Sequence, residues 1–213
     1  MAAAVRIYSR GEHLQASMFQ ALGRDERLRM LIGDVRDRER LTFAMRGCDL
    51  VIHAAALKRI EVGKHNPEEM VKTNVGGSMN VVAAARAAGV ERVVGLSTDK
   101  AVFGISPYGV SKAMMEHILL AANETQGAVG PRFVITRYGN VNGSAGSIIP
   151  TWSEMVRQGA RELPTSDPEC TRFAMKISEA VELVLGAACD PDPGDIAIPE
   201  LPAYRVGDLA EAF

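Results

Sequence analysis

Short apolar runs alternate with longer stretches of helical periodicity along almost the whole chain. Ala4-Val5-Arg6-Ile7-Tyr8-Ser9 reads as a strand, followed by a helix over roughly Glu12 to Leu22, and Leu28 to Gly33 as the next strand. Asp37 is placed to cap a helix that stops at Gly47. Asp49 to Ala55 is a short apolar strand of the kind buried in a parallel sheet covered on both faces. Asn66-Pro67-Glu68-Glu69 combines a cap residue, a proline at the first helical position and acids in the first turn. The helix it starts runs to about Ala88, with Gly89 as its stop. Strands over Val93–Ser97 and Phe133–Arg137 and helices over Ser111–Ala122, Pro150–Gln158 and Ser178–Ala188 complete the regular part.

This rhythm predicts a doubly wound α/β fold of Rossmann-like character, with a core over 1–145 and a small, integrated substrate-binding portion over 146–213. Asp190-Pro191-Asp192-Pro193-Gly194 reads as a tight turn within that portion. Ligands of such sheets bind beyond the carboxyl ends of the strands, where this chain gathers small and polar residues.

Composition narrows the function classes. A net charge of -2, with acids and bases interspersed as in Arg36-Asp37-Arg38-Glu39-Arg40, gives no nucleic-acid or anionic-membrane footprint. Three scattered cysteines indicate a reducing compartment without a disulfide framework, and neither they nor the four histidines have metal-ligand spacing. His53, inside an apolar strand, reads as a core residue. No apolar run approaches the ~18 residues of a membrane span, and the expected location is the cytoplasm.

The chemistry concentrates after the strand that ends at Ser97. Tyr108 and Lys112 are one helical turn apart on one face, a spacing at which an ammonium stabilises a phenolate. With a free value of ~10, tyrosine needs such help to act as a base on a sugar hydroxyl near neutrality. Asp99 and Lys100 form a second proton donor–acceptor couple on the same rim; the competing reading is an exposed loop pair. Gly139 to Gly146 imitates a phosphate loop, but its glycine spacing fits neither the Rossmann nor the P-loop pattern, so it reads as a substrate-side loop.

Blocks spread over nearly the whole chain resemble the extended short-chain dehydrogenases/reductases. They are Tyr8-Ser-Arg10, Gly33-Asp-Val-Arg-Asp37, His53-Ala-Ala-Ala-Leu-Lys58, Asn66-Pro67, Lys72-Thr-Asn74, Ser97-Thr-Asp-Lys100, Tyr108-Gly-x-Ser-Lys112, Arg137-Tyr-Gly-Asn-Val141, Gly143-Ser-x-Gly-Ser147 and Thr171-Arg-Phe173. The Ala-Ala-Leu-Lys and Ser-Thr-Asp-Lys blocks are most similar to soluble 4,6-dehydratases acting on UDP-N-acetylglucosamine in polysaccharide and flagellin-glycan synthesis. The resemblance implies that Tyr108 removes the C4 hydroxyl proton while hydride passes to a nicotinamide, that Lys100 takes the C5 proton, and that Asp99 protonates the departing C6 hydroxyl. It also implies that Lys112 lowers the Tyr108 pKa and holds the nicotinamide ribose. Ser9 and Arg10 would grip an adenosine 2'-phosphate, favouring NADP over NAD, and Asp34 and Val35 would flank adenine. Ala54, Ala55 and Ala56 would let the backbone approach the cofactor, with Asn74, Ser97, Tyr138 and Asn140 around it. Lys58, Thr98, Asn140 and Arg172 would hold the UDP-sugar.

The family's opening strand, Gly-rich turn and helix have no counterpart here. That strand belongs mid-sheet, between the segments holding Val5 and Val51, and omitting it strands two rows of backbone groups at ~1–3 kcal/mol for each one buried unmet. Three outcomes satisfy them: the sheet closes up, another copy lends a strand in a homo-oligomer, or the strand comes from outside this stretch. The turn also normally seats the dinucleotide's pyrophosphate. Two function classes therefore follow, a 4,6-dehydratase and a non-catalytic nucleotide-sugar binder or accessory subunit. Strand exchange predicts an oligomer, so a monomeric mass in solution eliminates it.

Overall fold

The computed structural model describes residues 2–127, 129–144, 147–165, 167–190 and 195–213. In chain order the elements are β1 (Val5–Ser9), α1 (Glu12–Ala21), β2 (Leu28–Ile32), α2 (Arg38–Met45), β3 (Leu50–His53), α3 (Ile60–His65), α4 (Pro67–Met70), a π-helical turn (Val71–Gly76) and α5 (Gly77–Ala88). There follow β4 (Arg92–Thr98), a 3-10 turn (Asp99–Ala101), α6 (Pro107–Thr125), β5 (Arg132–Tyr138), α7 (Ile148–Arg157), β6 (Thr171–Phe173), α8 (Ile177–Cys189), β7 (Ile196–Ala197), β8 (Ala203–Arg205) and α9 (Val206–Glu211).

The doubly wound parallel architecture is as expected. Strands β3, β4, β5 and β7 pair in that order, all parallel. Alternation along β4 and β5 divides the core into two layers. Val93, Phe133 and Ile135 face α2, α5 and α6 through Leu41, Val81, Ala85, Met115 and Leu119. Val94 and Val134 face the opposite way, onto Val184 and Ala187 of α8. Thus α8 and β7, from the stretch assigned to the small portion, are built onto the core sheet. Beyond it β6 and β8 form an antiparallel ribbon, and Trp152 of α7 meets Phe213 edge-on at 5.9 Å.

The sheet does not close up. Among the described residues, strand β1 pairs only with β2, in a separate parallel two-stranded sheet, and β3 pairs only with β4. Helices, not strand pairing, hold the small sheet in place. Arg6 of β1 donates to the Ala44 and Arg46 carbonyls at the end of α2, and α2 packs on both β1 and α5. Asn80 of α5 adds bonds of 3.1 and 3.0 Å to the Val35 and Arg36 carbonyls after β2. With α2 tied to both, sliding β1 onto β3 would break this layer, and apolar side chains such as Val5, Leu50 and Ile52 stay exposed.

Local expectations divide along physical lines. Asp37 caps α2 through the Arg40 amide, and Gly89 ends α5 at φ 70°. Asn66 does not cap: its amide instead donates to Val62 of α3, a short helix the sequence reading did not contain. The expected 66–88 helix is a continuous helical run from Pro67 interrupted by the π turn at 71–76. Helix α6 begins earlier than expected, at Pro107, with Ser106 accepting from the Gly109 amide. The turn expected over 190–194 lies, beyond Asp190, outside the described residues.

His53 is a core residue, 3.0 Å from the Ser78 hydroxyl, and burial beside the Lys112 charge pushes its pKa down to about 3. The unfolded chain takes up this proton near 6.5, so native stability falls as pH drops from 6.5 toward 3. His53→Gln, which cannot ionise, is expected to recover roughly 3 kcal/mol of the stability lost between pH 7 and pH 4, measured by chemical denaturation at both.

Candidate active site

The C-terminal ends of β4 and β5 and the first turns of α6 meet at one point. Thr98 ends β4 in extended conformation; its hydroxyl donates to Asp99 at 2.8 Å and accepts from the Lys100 amide, which folds the chain into the 3-10 turn. That turn presents Asp99 and Lys100 side by side, carboxylate to ammonium at 3.0 Å, each about one-third exposed. Lys100 also donates to the Asn140 side chain at 3.2 Å, joining the end of β4 to the loop after β5. A Cβ on Gly109 would collide with the Lys100 carbonyl, so only glycine lets α6 dock this closely on the turn.

Asp99 and Lys100 line an open cleft of about 360 Å³ together with Ile60, Phe103, Ile105, Arg172 and Phe173. One guanidinium, one ammonium and one carboxylate therefore face an otherwise largely apolar wall, which suits an anionic ligand with a C–H-rich body. Lys58 is exposed and is not among the residues lining this cavity.

Tyr108 and Lys112 occupy the expected helix face but are not coupled as expected. The Lys112 ammonium turns inward: it donates to the Leu96 carbonyl at 2.5 Å and contacts the Met115 sulfur at 2.9 Å. It is 3% exposed, and burial lowers its pKa to about 8 despite the nearby Glu116 charge. Burial pushes the Tyr108 phenol up; the Thr98 hydroxyl opposes this, while Asp99 and Tyr138 reinforce it. The expected lowering of the Tyr108 pKa by Lys112 is thus absent here, because the ammonium is satisfied by a strand carbonyl. Burial likewise raises the Tyr138 pKa.

Several residues assigned to the cofactor serve the protein itself. Asn74, 1% exposed, is fully engaged: it accepts from the Leu57 amide at 2.8 Å and donates to the Leu57 carbonyl and the Ser111 hydroxyl, both at 2.9 Å. The Ser97 hydroxyl is bonded to Glu116, and the Ser9 hydroxyl accepts from Gln15 at 2.9 Å. The Val35 side chain packs in the core with Leu41, Met45 and Val81, leaving only its backbone for a ligand. Asp34 is clamped by Arg36 at 2.6 Å, which lowers its pKa, and Arg10 lies 3.8 Å away with 56% of its side chain exposed. Ala54 and Ala55 are exposed just beyond β3.

The residues assigned to a dinucleotide therefore stand at the ends of several strands: Arg10 after β1, Asp34 after β2, Ala54 and Ala55 after β3 and Asn140 after β5, with Tyr108 in the first turn of α6.

Sequence reasoning missed the buried ion pair of Glu116 and Arg137, joined by two bonds of 3.0 and 2.6 Å. Its signal was an acid one turn after Lys112 on a face otherwise made of Met115, Leu119 and Ala122. Gln15, whose amide also reaches the Ser9 and Leu31 carbonyls at 3.2 and 3.0 Å, carried no comparable signal.

Fold and site together define a Rossmann-like protein of the extended short-chain dehydrogenase/reductase type. Residues 1–213 match the profile of the family described as polysaccharide biosynthesis protein, and the chain belongs to that family. It is 43% identical over 210 residues to the UDP-N-acetylglucosamine 4,6-dehydratase (inverting) of Campylobacter jejuni subsp. jejuni serotype O:2, covering 97% of this chain and 62% of that protein. A UDP-glucose 4-epimerase of Rickettsia prowazekii is 41% identical over 209 residues, 98% of this chain and 61% of that one. The chain therefore spans less than two thirds of the length of these relatives. The X-ray structure of Pen from Bacillus thuringiensis superposes with a TM-score of 0.93 at 33% identity, over 98% of this chain and 64% of that one. DesIV of Streptomyces venezuelae, a dTDP-glucose 4,6-dehydratase solved with NAD and TYD bound, gives 0.89 at 25% identity, over 100% of this chain and 71% of that one.

The folded Lys112 loses its proton near pH 8 and the unfolded lysine near 10.5, so below pH 8 its charge costs the native state about 3 kcal/mol, a cost relieved as pH rises from 8 to 10.5. Lys112→Met is expected to add about 1–3 kcal/mol of stability at pH 7 and to abolish that alkaline rise, read by denaturation across pH 7 to 11.

Proposed function

We propose that this chain carries the catalytic residues of a nucleotide-sugar 4,6-dehydratase acting on a UDP-N-acetylglucosamine-like substrate. The observation that carries the reading is the Asp99–Lys100 pair, bonded to Asn140, lining a cleft that Arg172 also lines. The relative named a UDP-N-acetylglucosamine 4,6-dehydratase supports it from outside the structure.

A bound nicotinamide dinucleotide supplies the hydride acceptor and, later, the hydride donor. The exposed Arg10 is the group that favours NADP, since Ser9 is already engaged by Gln15. Tyr108 receives the proton of the C4 hydroxyl. Its phenol needs a countercharge to do so, because burial alone holds it protonated. Oxidation at C4 acidifies the C5 hydrogen. Lys100 takes that proton and Asp99 delivers one to the C6 hydroxyl, which leaves as water. Direct contact within the pair keeps the group that takes the C5 proton and the group that donates to the C6 hydroxyl side by side. Arg172 is placed to hold the anionic nucleotide end.

Epimerisation at C4 needs no second acid–base couple, so the Asp99–Lys100 pair favours dehydration over the activity that names the Rickettsia relative. A second reading, a nucleotide-sugar binder without turnover, is favoured by one observation: the Lys112 ammonium is bonded to the Leu96 carbonyl and does not lower the Tyr108 pKa.

Incubation with UDP-N-acetylglucosamine and NADP or NAD is expected to yield a product lighter by one water in mass spectrometry. Asp99→Asn and Lys100→Met are expected to lower that rate about 10²–10⁴-fold while retaining UDP binding. Binding of the sugar nucleotide without water loss under either cofactor selects the binder.

A further inference from the structure

We propose that the Glu116–Arg137 pair positions Lys112: Glu116 is the countercharge that keeps the lysine protonated beneath the site, and Arg137 keeps that countercharge from drawing the ammonium off β4. The inference concerns a role deeper than the reading of Asp99, Lys100 and Tyr108 above, and only its last consequence for turnover rests on that reading.

Three observations carry it. Lys112 is a buried ammonium whose contacts are a carbonyl and a thioether, so no carboxylate touches it. Glu116 follows one turn later on the same face of α6, is itself 6% exposed, and is the charge that counteracts the lysine's burial. Arg137 holds both Glu116 oxygens in a fork, at 3.0 and 2.6 Å, while the Ser97 hydroxyl donates to one of them. The carboxylate is therefore shared among β4, β5 and α6, directly before Thr98-Asp99-Lys100 on one strand and Tyr138-Gly139-Asn140 on the other.

The other ionisable groups around Lys112 do not replace it. His53 of β3 is kept neutral by burial, and the phenols of Tyr108 and Tyr138 are kept protonated by it. Asp99 and Lys100 of the 3-10 turn pair with each other. An isolated buried ammonium sheds its proton, so Glu116 decides whether Lys112 is a cation when a phenolate forms nearby. A Glu116 released from Arg137 would be free to bond Lys112 directly, moving it away from the Tyr108 side of the helix.

The two partners thus act on Lys112 with opposite sign, which a purely structural ion pair would not do. In full-length protein carrying lysine labelled at Cε and Nζ, the Lys112 signal is assigned by its loss in Lys112→Met and titrated by NMR. The midpoints are expected to fall in the order Arg137→Gln highest, then wild type, then the Glu116→Gln/Arg137→Gln double variant, then Glu116→Gln. The two single variants should differ by about one pH unit or more. Midpoints that coincide, or single variants that move in the same direction, overturn the proposal. Should a single variant fail to fold, the uncharged double variant decides alone: its midpoint lies below wild type if Glu116 acts as stated, and equals or exceeds it if not. The titration needs no substrate, so a wild type without dehydratase turnover defeats the proposed function and leaves this inference standing. In an active wild type, the alkaline limb of the pH–rate profile is expected to move with the same midpoints.

Discussion

Everything at the site depends on how closely α6 lies on the end of β4. Two glycines make that approach possible: a Cβ at Gly95 would enter the Leu119 side chain, and one at Gly109 would meet the Lys100 carbonyl. The first sets the helix against the strand; the second brings the helix start down onto the 3-10 turn. Ser106 caps the helix and Thr98 caps the turn, so both chain reversals are held by local hydrogen bonds rather than by a ligand. Tyr108, Asp99 and Lys100 are consequently brought together by backbone packing. That is the preorganisation an acid–base site requires.

The same closeness creates an electrostatic cost. Helix α6 buries Lys112 and Glu116 on the face it turns to the sheet, and β5 answers with Arg137. Replacing such a set by apolar residues is often neutral or stabilising, so its presence beneath the rim is better explained by what it does to Lys112 than by what it adds to the fold. His53, forced neutral beside the same ammonium, belongs to the same economy. The core there is not simply apolar. A polar seam runs through the layer between the sheet and α6.

What was legible in the sequence was whatever depends on period and local chemistry. Alternation in Val93-Val94 and Phe133-Val134-Ile135 encodes a sheet buried on both faces, and Asp37 and Gly89 mark helix ends because their side chains, or lack of one, act within a turn. Asp99, Lys100, Asn140 and Arg172 were also legible as rim residues; Lys100 bonds Asp99 and Asn140, and Arg172 lines the same cleft as Asp99 and Lys100. Side-chain direction was not legible. Spacing puts Tyr108 and Lys112 on one face, yet a four-carbon stem reaches a strand carbonyl as easily as a phenol, and burial decided between them. The partners that Asn74, Ser97 and Ser9 take within the protein were illegible for a related reason: a small polar side chain near a rim bonds whichever buried partner is closest. The three-residue strands β6 and β8 are too short for period to reveal, although they carry Arg172.

The separation of β1–β2 from the main sheet bears directly on the chemistry. Lys112 is bonded to Leu96, and burial places Tyr108 in an environment that favours the neutral phenol. On the proposed reading, a ribose hydroxyl would compete with Leu96 for the ammonium, and its affinity would depend on anchoring the rest of the dinucleotide. Arg10 and Asp34 provide one anchor from the small sheet, but α2 and α5, not a continuous ladder, fix where that sheet stands. On the proposed reading, a dinucleotide reaching from Arg10 to Tyr108 would span two sheets whose relative position is set by α2 and α5, so its effect on the phenol would depend on how firmly those helices hold β1 and β2.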